Sequence, residues 1–565
     1  MKAADPLVPP RRSKAANSIA AGYKLVRDAN LSSASSWLGC RMATAPTELQ
    51  RQLALATQTH PAALVNRQRA ILSLRKHAAS LSSWDAKFER AAAIEADIAA
   101  FFAETSKGKG KDDLEEDALA QLSFQGAWTK PLNAIPFMIA AIAIFKVWVV
   151  PAMTVATPLV AWILPYILLK FVWSLPINTD QYMGLMRTLW SGNFGGPLPM
   201  PGDPLPSLWT PKSMAQAALF GFSFIQGMVQ PIQNAIHLYK TDKVFLDLGS
   251  KLVELRKMVA EMRTEAYAFL SPQQAKLSYA LEELTDWDVR RTFLTIVEQP
   301  ERLHQVLKDL ARLEILWRLA QKGGSELCPV IFKKGGLVLR NCRDISLSAA
   351  TAVPATVEFG TQPHTVLTGP NGGGKSSFLR AVLQAVLLGH TYGVAPAGRA
   401  QMPRFRWIAS GLQLRDTPGV LSMFETEVKF AADVLARARR GGPGLLLYDE
   451  LFHSTNPPDG ERTAVEFLRQ LWELDTVQSI VSTHLFSLVE GAPEGRVKAL
   501  CCPATEKGDG GVDFTFRVEP GICRVSSVQM VWRRFGLGVG GAAGAGARPA
   551  APDQNLRAKE NTGSE

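Results

Sequence analysis

Thr368-Gly-Pro-Asn-Gly-Gly-Gly-Lys-Ser-Ser377 fits the spacing G-x-x-x-x-G-K-[ST], with Gly369 and Gly374 as its glycines, followed by Lys375 and Ser376. The apolar Thr365-Val-Leu-Thr368 before it reads as a short buried strand, and Phe378–Leu388 after it reads as a helix. Strand, glycine loop and helix is the context in which this spacing has a mechanism. Glycines let successive backbone N–H groups curl around an anion, and the helix N-terminus adds partial positive charge. The expected contacts to a bound nucleotide are Gly369, Pro370, Asn371, Gly372, Gly373, Gly374, Lys375, Ser376 and Ser377. Lys375 is expected to reach the β- and γ-phosphates, and Ser376 to hold Mg²⁺.

Working outward, Gly444-Leu-Leu-Leu-Tyr-Asp-Glu450 has the composition of a fully buried strand of a parallel sheet. Asp449 falls at its carboxyl end, where ligands bind in open α/β sheets. Its expected role is in the Mg²⁺ shell, with Glu450 placed to polarise an attacking water. A third apolar strand, Ser479-Ile-Val-Ser, ends in Thr483-His484. An imidazole there can meet the γ-phosphate or orient water as charge develops.

Four pieces in this order resemble the ATPase domain of the MutS mismatch-repair family. Gly369-Pro-Asn-Gly-Gly-Gly-Lys-Ser376 is similar to G-P-N-M-G-G-K-S, with Gly372 in place of Met. Asp449–Gly460 has the frame of D-E-I-G-R-G-T-S-T-Y-D-G and keeps Asp449, Glu450, Thr455, Asp459 and Gly460. Ser482-Thr-His-Leu-Phe-Ser-Leu488 is similar to A-T-H-Y-F-E-L, and Ser422-Met-Phe-Glu-Thr-Glu427 to S-T-F-M-V-E. The resemblance implies ATP and Mg²⁺ as cofactors and Glu450, Lys375 and His484 as catalytic groups. It also implies a homo- or heterodimer in which Ser422 crosses to the partner's ATP. Ser36-Trp-Leu-Gly-Cys-Arg-Met42, Leu64–Leu72 and Ala311–Ala320 resemble parts of the family's helical core. The fold expected is therefore α plus α/β: a MutS core-like helical region followed by a P-loop NTPase domain of the ABC/MutS type. The helical core begins within about 35 residues, so the family's mismatch-reading domains are expected to be missing. Duplex DNA is the implied partner, through its backbone.

A second region is unlike that family. From Ile135 to Trp173 only Lys146 and Lys170 are charged. Pro151 and Pro158 are expected to divide it into segments near 135–150 and 158–175, each slightly short of the ~20 residues that span a bilayer. Trp148, Trp162, Tyr166 and Trp173 suit an interfacial belt. Ser213–His237 carries no Asp, Glu, Lys or Arg, and the proline-rich connector Pro197–Pro206 lies between. Two readings stand: a transmembrane hairpin, which is favoured, and a buried apolar helical pair. The expected organisation is a basic arm 1–35, helical core 36–130, hydrophobic insert 131–240, helical core 241–330, ATPase domain 331–535 and a low-complexity tail 536–565.

The net charge is +11. Residues 1–83 hold twelve Lys or Arg against three acids, which suits phosphate backbones or anionic lipid heads, or a solvated face. Met1–Asn30 lacks a continuous apolar stretch and does not read as a secretory signal. Six cysteines form no Cys-x-x-Cys pair, so neither a zinc framework nor a disulfide scaffold is expected. Membrane association with the ATPase domain on a reducing cytosolic, nuclear or stromal face is the expected location, or otherwise the nucleus or cytoplasm. Two rival functions are a half of an ABC-type transporter and an ATP-gated scaffold. The first lacks an L-S-G-G-Q signature; Ser422–Glu427 stands in its place.

Overall fold

The computed structural model describes residues 14–107, 122–190 and 211–535, apart from 125, 136, 283–287, 325, 417–418 and 508–510. The Pro197–Pro206 connector, the start of the basic arm, most of the charged linker Lys107–Asp117 and the tail Gly536–Glu565 lie outside the described residues. The chain is a mixed α+β protein of two compact units, Met1–Pro329 with Leu387–Val394, and Val330–Val386 with Ala395–Glu565.

The first unit is helical. Its core is built where helices Pro61–Lys76, Trp84–Lys107 and Pro300–Gln321 bury aromatic and aliphatic faces. Trp84 and Trp317 meet with ring centroids 5.4 Å apart. Each indole N–H has a carboxylate acceptor, Glu265 at 2.7 Å for Trp84 and Asp85 at 3.1 Å for Trp317. That removes the cost of burying the polar end of a large ring. The segment around Trp37–Met42 is tied to Pro300–Gln321 by Glu314, whose carboxylate accepts the N–H groups of Arg41 at 2.6 Å and Met42 at 3.1 Å.

In the apolar run the prolines do not act as expected. Helical backbone continues from Met138 through Val172, as α-helices Met138–Ile144 and Val150–Ile167 joined and followed by π-turns Phe145–Val149 and Leu168–Val172. The wider π-turn puts Pro151 in the first turn of the next helix, where its missing N–H costs little. The run pairs instead with helix Pro211–Tyr267, which contains Pro231 and passes through residue 240. Val147, Trp148, Ile232, Ile236 and Tyr239 line an apolar groove of about 580 Å³ between them. The reading as a buried apolar pair fails. Only 17% of the most apolar stretch, Met138–Thr157, is buried, and Trp148, Phe171 and Trp173 are all more than half exposed.

Among the described residues thirteen strands form, all within the second unit except the first residues of β1 and β5: β1 (Cys328–Phe332), β2 (Val338–Cys342), β3 (Ala355–Glu358), β4 (His364–Thr368), β5 (Val394–Ala395), β6 (Arg399–Met402), β7 (Trp407–Gly411), β8 (Gly444–Tyr448), β9 (Val477–Ser482), β10 (Val497–Cys501), β11 (Ala504–Glu506), β12 (Val512–Phe514) and β13 (Glu519–Pro520). Six form one sheet in the order β13-β10-β4-β9-β8-β7, parallel except at β13. Every residue of β4 and β8 is buried, as expected for strands covered on both faces. Helix Pro457–Trp472 lays Ala464, Phe467, Leu468 and Leu471 into the core at helical spacing.

Candidate functional site

β4, β9 and β8 lie side by side and parallel, so they end at one edge of the sheet. β4 runs into the glycine loop, β8 into Asp449 and Glu450, and β9 into Thr483 and His484. The register, Leu367 opposite Ser482 and Tyr448 opposite Val481, sets the three strand ends level.

The loop backbone needs its glycines. Gly369, Gly372 and Gly374 have φ of +143°, +84° and +101°, a region that side chains disfavour. Lys375 opens helix Lys375–Tyr392 and turns back over the loop. Its ammonium donates to the carbonyls of Gly369 at 2.9 Å and Pro370 at 3.1 Å. It lies 3.4 Å from both Asn371 Oδ1 and His484 Nε2. His484 Nε2 is also 2.9 Å from Asn371 Oδ1 and 3.5 Å from Glu450 Oε1. Lys375, Asn371, Glu450 and His484 thus form one cluster. Burial pushes the Lys375 ammonium pKa down, opposed by Glu450 and Asp449. The His484 imidazole holds the Glu450 carboxyl below the usual range, against its partial burial.

Ser482, at the end of β9, fixes both acids. Its hydroxyl donates to Asp449 Oδ1 and accepts the Glu450 N–H at 2.9 Å. Glu450 and Phe452 adopt φ of +55° and +50°. Left-handed backbone at two such residues is strained and persists only where surroundings enforce it. One enforcing contact is Gly460, where a Cβ would lie 2.6 Å from the Phe452 carbonyl oxygen. Ser376 and Ser377 face a cavity of about 840 Å³ with Asn371, Lys375, Glu450 and Phe516. That volume lies within the usual range for ligand pockets.

Among the described residues no group of three or more His, Cys, Asp or Glu could hold a metal. The Ser376 hydroxyl and Asp449 carboxylate are nevertheless hard oxygen donors. That donor set fits Mg²⁺, which takes one or two protein oxygens and completes its shell with phosphate and water.

Ser422 stands apart from this cluster. It is the exposed N-cap of helix Met423–Arg439, in a capping box with Glu425: its hydroxyl accepts the Glu425 N–H at 3.2 Å and donates to that carboxylate at 2.9 Å. Sequence reasoning gave no site role to Ser482, Gly460 or Phe516, and gave Asn371 none beyond phosphate contact. A Cβ on Gly374 would lie 3.6 Å from the Phe516 ring, and one on Gly372 3.7 Å from the Phe514 ring. The available signal was Phe514-Thr-Phe516, two aromatics at strand spacing just after the last parallel strand.

The fold and site define a class: an α+β protein with a glycine loop, two acids and a histidine at one edge of a mainly parallel sheet. Residues 365–540 match the family model for MutS domain V. The chain is 33% identical over 195 residues to the mitochondrial DNA mismatch repair protein MSH1 of Arabidopsis thaliana, covering 34% of this chain and 17% of that protein. It is 29% identical over 291 residues to the DNA mismatch repair protein MSH6 of the same plant, covering 47% and 22%. It is 24% identical over 310 residues to Endonuclease MutS2 of Brevibacillus brevis, covering 53% and 35%. Residues 365–540 therefore carry a MutS domain V, and the relatives matched are MutS-type proteins. The chain spans only about a fifth to a third of the length of these relatives.

Proposed function

We propose that this chain binds and hydrolyses Mg-ATP as a MutS-type P-loop ATPase engaged in mismatch repair or a related form of DNA maintenance. The observation that carries the reading is the joint placement of Lys375, Asn371, Glu450 and His484 at the ends of three adjacent strands. In this reading the loop N–H groups cradle the phosphates, and Lys375 leaves the loop carbonyls to neutralise charge on the transferring phosphoryl. Glu450, kept ionised by its His484 neighbour, orients the attacking water. His484 would meet the γ-phosphate, with Asn371 bonded to its imidazole and holding its orientation. Ser376 and Asp449 would hold Mg²⁺, which supplies charge neutralisation at the phosphates. Phosphoryl transfer of this kind rests on positioning and electrostatics.

Dimerisation through the ATPase domains, with Ser422 acting across the interface, follows from the family. Its exposed N-cap position supports that reading. DNA contact is proposed through backbone phosphates, supported by the basic residues of 1–83 and by relatives named as mismatch repair proteins. The expected domain boundaries are part of the same proposal, except at residue 240, which falls inside helix Pro211–Tyr267.

Membrane attachment is a second proposal, carried by a different observation. The exposed run Met138–Val172 presents Trp148, Trp162 and Phe171 outward, and Trp173 just after it is exposed as well. Lys170 lies back over the Tyr166 ring at 5.2 Å, keeping its ammonium at one end. Such aromatic and snorkelling placement suits a lipid interface.

Two measurements test these readings. ATP binding measured calorimetrically should be lost or weakened at least tenfold in Lys375→Ala, by about the strength of a charge-assisted contact; unchanged binding would remove the site assignment. Duplex DNA affinity should fall steeply with added salt. Absence of binding even at low salt would remove the DNA-maintenance reading while leaving the ATPase reading intact.

A further inference from the structure

The helical unit contains a cavity of about 340 Å³ that the nucleotide site does not use. It is lined by three guanidinium groups, from Arg51, Arg67 and Arg312, and by Asp309 and the Tyr392 ring, with Lys276 at its edge. Arg51 and Arg312 are already engaged. Both bond Glu48, at 2.7 Å each through Oε1, and Arg312 also donates to Asp309 at 2.9 Å. Arg67 is different. It donates to the Thr391 carbonyl at 2.9 Å and lies over the Tyr392 ring at 5.7 Å, but pairs with no carboxylate among the described residues. Four cations against Glu48 and Asp309 leave at least two positive charges in excess.

Among the described residues, two buried polar atoms in the wall also have no partner. The Tyr392 hydroxyl belongs to a side chain only 1% exposed, and Asp309 Oδ2 to one only 2% exposed. An unpaired buried hydroxyl or carboxyl oxygen costs free energy that a native structure rarely leaves unrecovered. Burial pushes the pKa of both Tyr392 and Asp309 up, and the Tyr392 hydroxyl keeps its proton as a donor. A cavity with a carboxylate-free guanidinium and a buried, unpartnered tyrosine O–H lacks only an acceptor-rich anion. Guanidinium geometry matches phosphate oxygens in particular.

We propose that this cavity is a binding site for a small phosphate-bearing anion, held by Arg67 and the Tyr392 hydroxyl and distinct from the glycine loop. The probe is inorganic pyrophosphate, titrated calorimetrically into the full chain without nucleotide. Wild type should show two classes of site. Lys375→Ala should retain one, and Arg67→Gln in that background should weaken it about tenfold, the worth of one charge-assisted contact. Tyr392→Phe removes a single buried oxygen and should keep or raise the unfolding midpoint while weakening the same class several-fold. A purely structural role for the hydroxyl would not separate those two readouts. Loss of all pyrophosphate binding in Lys375→Ala, or an isotherm indifferent to Arg67→Gln and Tyr392→Phe, would overturn the proposal.

Discussion

The sheet-edge site and the apolar run Met138–Val172 are both made from conspicuous sequence, yet they differ in how their residues find partners. At the site polar groups are held by partners distant in sequence: Ser482 bonds the Asp449 carboxylate and the Glu450 backbone N–H, and Asn371 of the glycine loop meets His484. Along the apolar run, large side chains such as Trp148 and Phe171 face outward with little protein over them. Polar residues at the ends of parallel strands are defined from inside the fold. An apolar helix left bare is defined by whatever solvent meets it.

That contrast can be broken most forcefully at the run itself. Trp148→Glu with Ile163→Glu places two charges on its exposed face. The cost of partition should be about 5 kcal/mol for the pair, taking ~2.5 kcal/mol for each. Flotation with anionic vesicles should be abolished while nucleotide binding is unchanged. A wild-type chain that stays monodisperse without detergent and ignores vesicles would end the membrane reading.

Inside the sheet the expected effects are smaller and come from packing and protonation. His364 is fully buried at the start of β4, 2.9 Å from Ser479 Oγ, and burial pushes its pKa down to about 4. An unfolded histidine titrates near 6.5. The folded pKa is the lower one, so the unfolded chain binds the proton first as pH falls. Stability is therefore fully present above pH ~6.5 and drains away toward pH ~4, by about 3 kcal/mol at one unit per 1.36 kcal/mol. Denaturant midpoints across that window should fall in wild type, and that part of the slope should vanish in His364→Gln. Equal slopes would contradict the assignment. Gly460→Ala should cost about 1–3 kcal/mol, because its Cβ meets the Phe452 carbonyl and a packed turn must shift. An unchanged midpoint would show that Phe452 does not need its left-handed backbone. His484→Ala, which removes one hydrogen-bonding neighbour of Glu450 and Asn371, should slow hydrolysis about tenfold. A rate equal to wild type would detach His484 from the chemistry.

The difference between the regions also explains what the sequence could and could not disclose. Lys375, Asp449, Glu450 and His484 were legible because the backbone rules for a glycine loop and for strand ends are local. Ser482 as the clamp on two acids, and Phe516 beside the loop, depend on the register of β4, β8 and β9 and on a later hairpin. No local pattern encodes those. At the apolar run, composition identified an unusual segment, but proline rules divided it at Pro151. The π-turn Phe145–Val149 absorbs that proline by shifting one hydrogen bond, a change with no compositional mark. The long helix Pro211–Tyr267 was likewise hidden, because its apolar first half and charged second half read as different regions.

In the proposed mechanism Glu450 orients water for ATP hydrolysis beside a nucleotide held by the glycine loop. Glu450→Gln keeps the shape and removes the charge. Parallel measurement of ATP affinity and phosphate release in this variant tests the claim directly. Binding should stay within about threefold of wild type while phosphate release falls about a hundredfold or more, the usual worth of a positioned base. Phosphate release equal to wild type, with binding intact, would contradict the account.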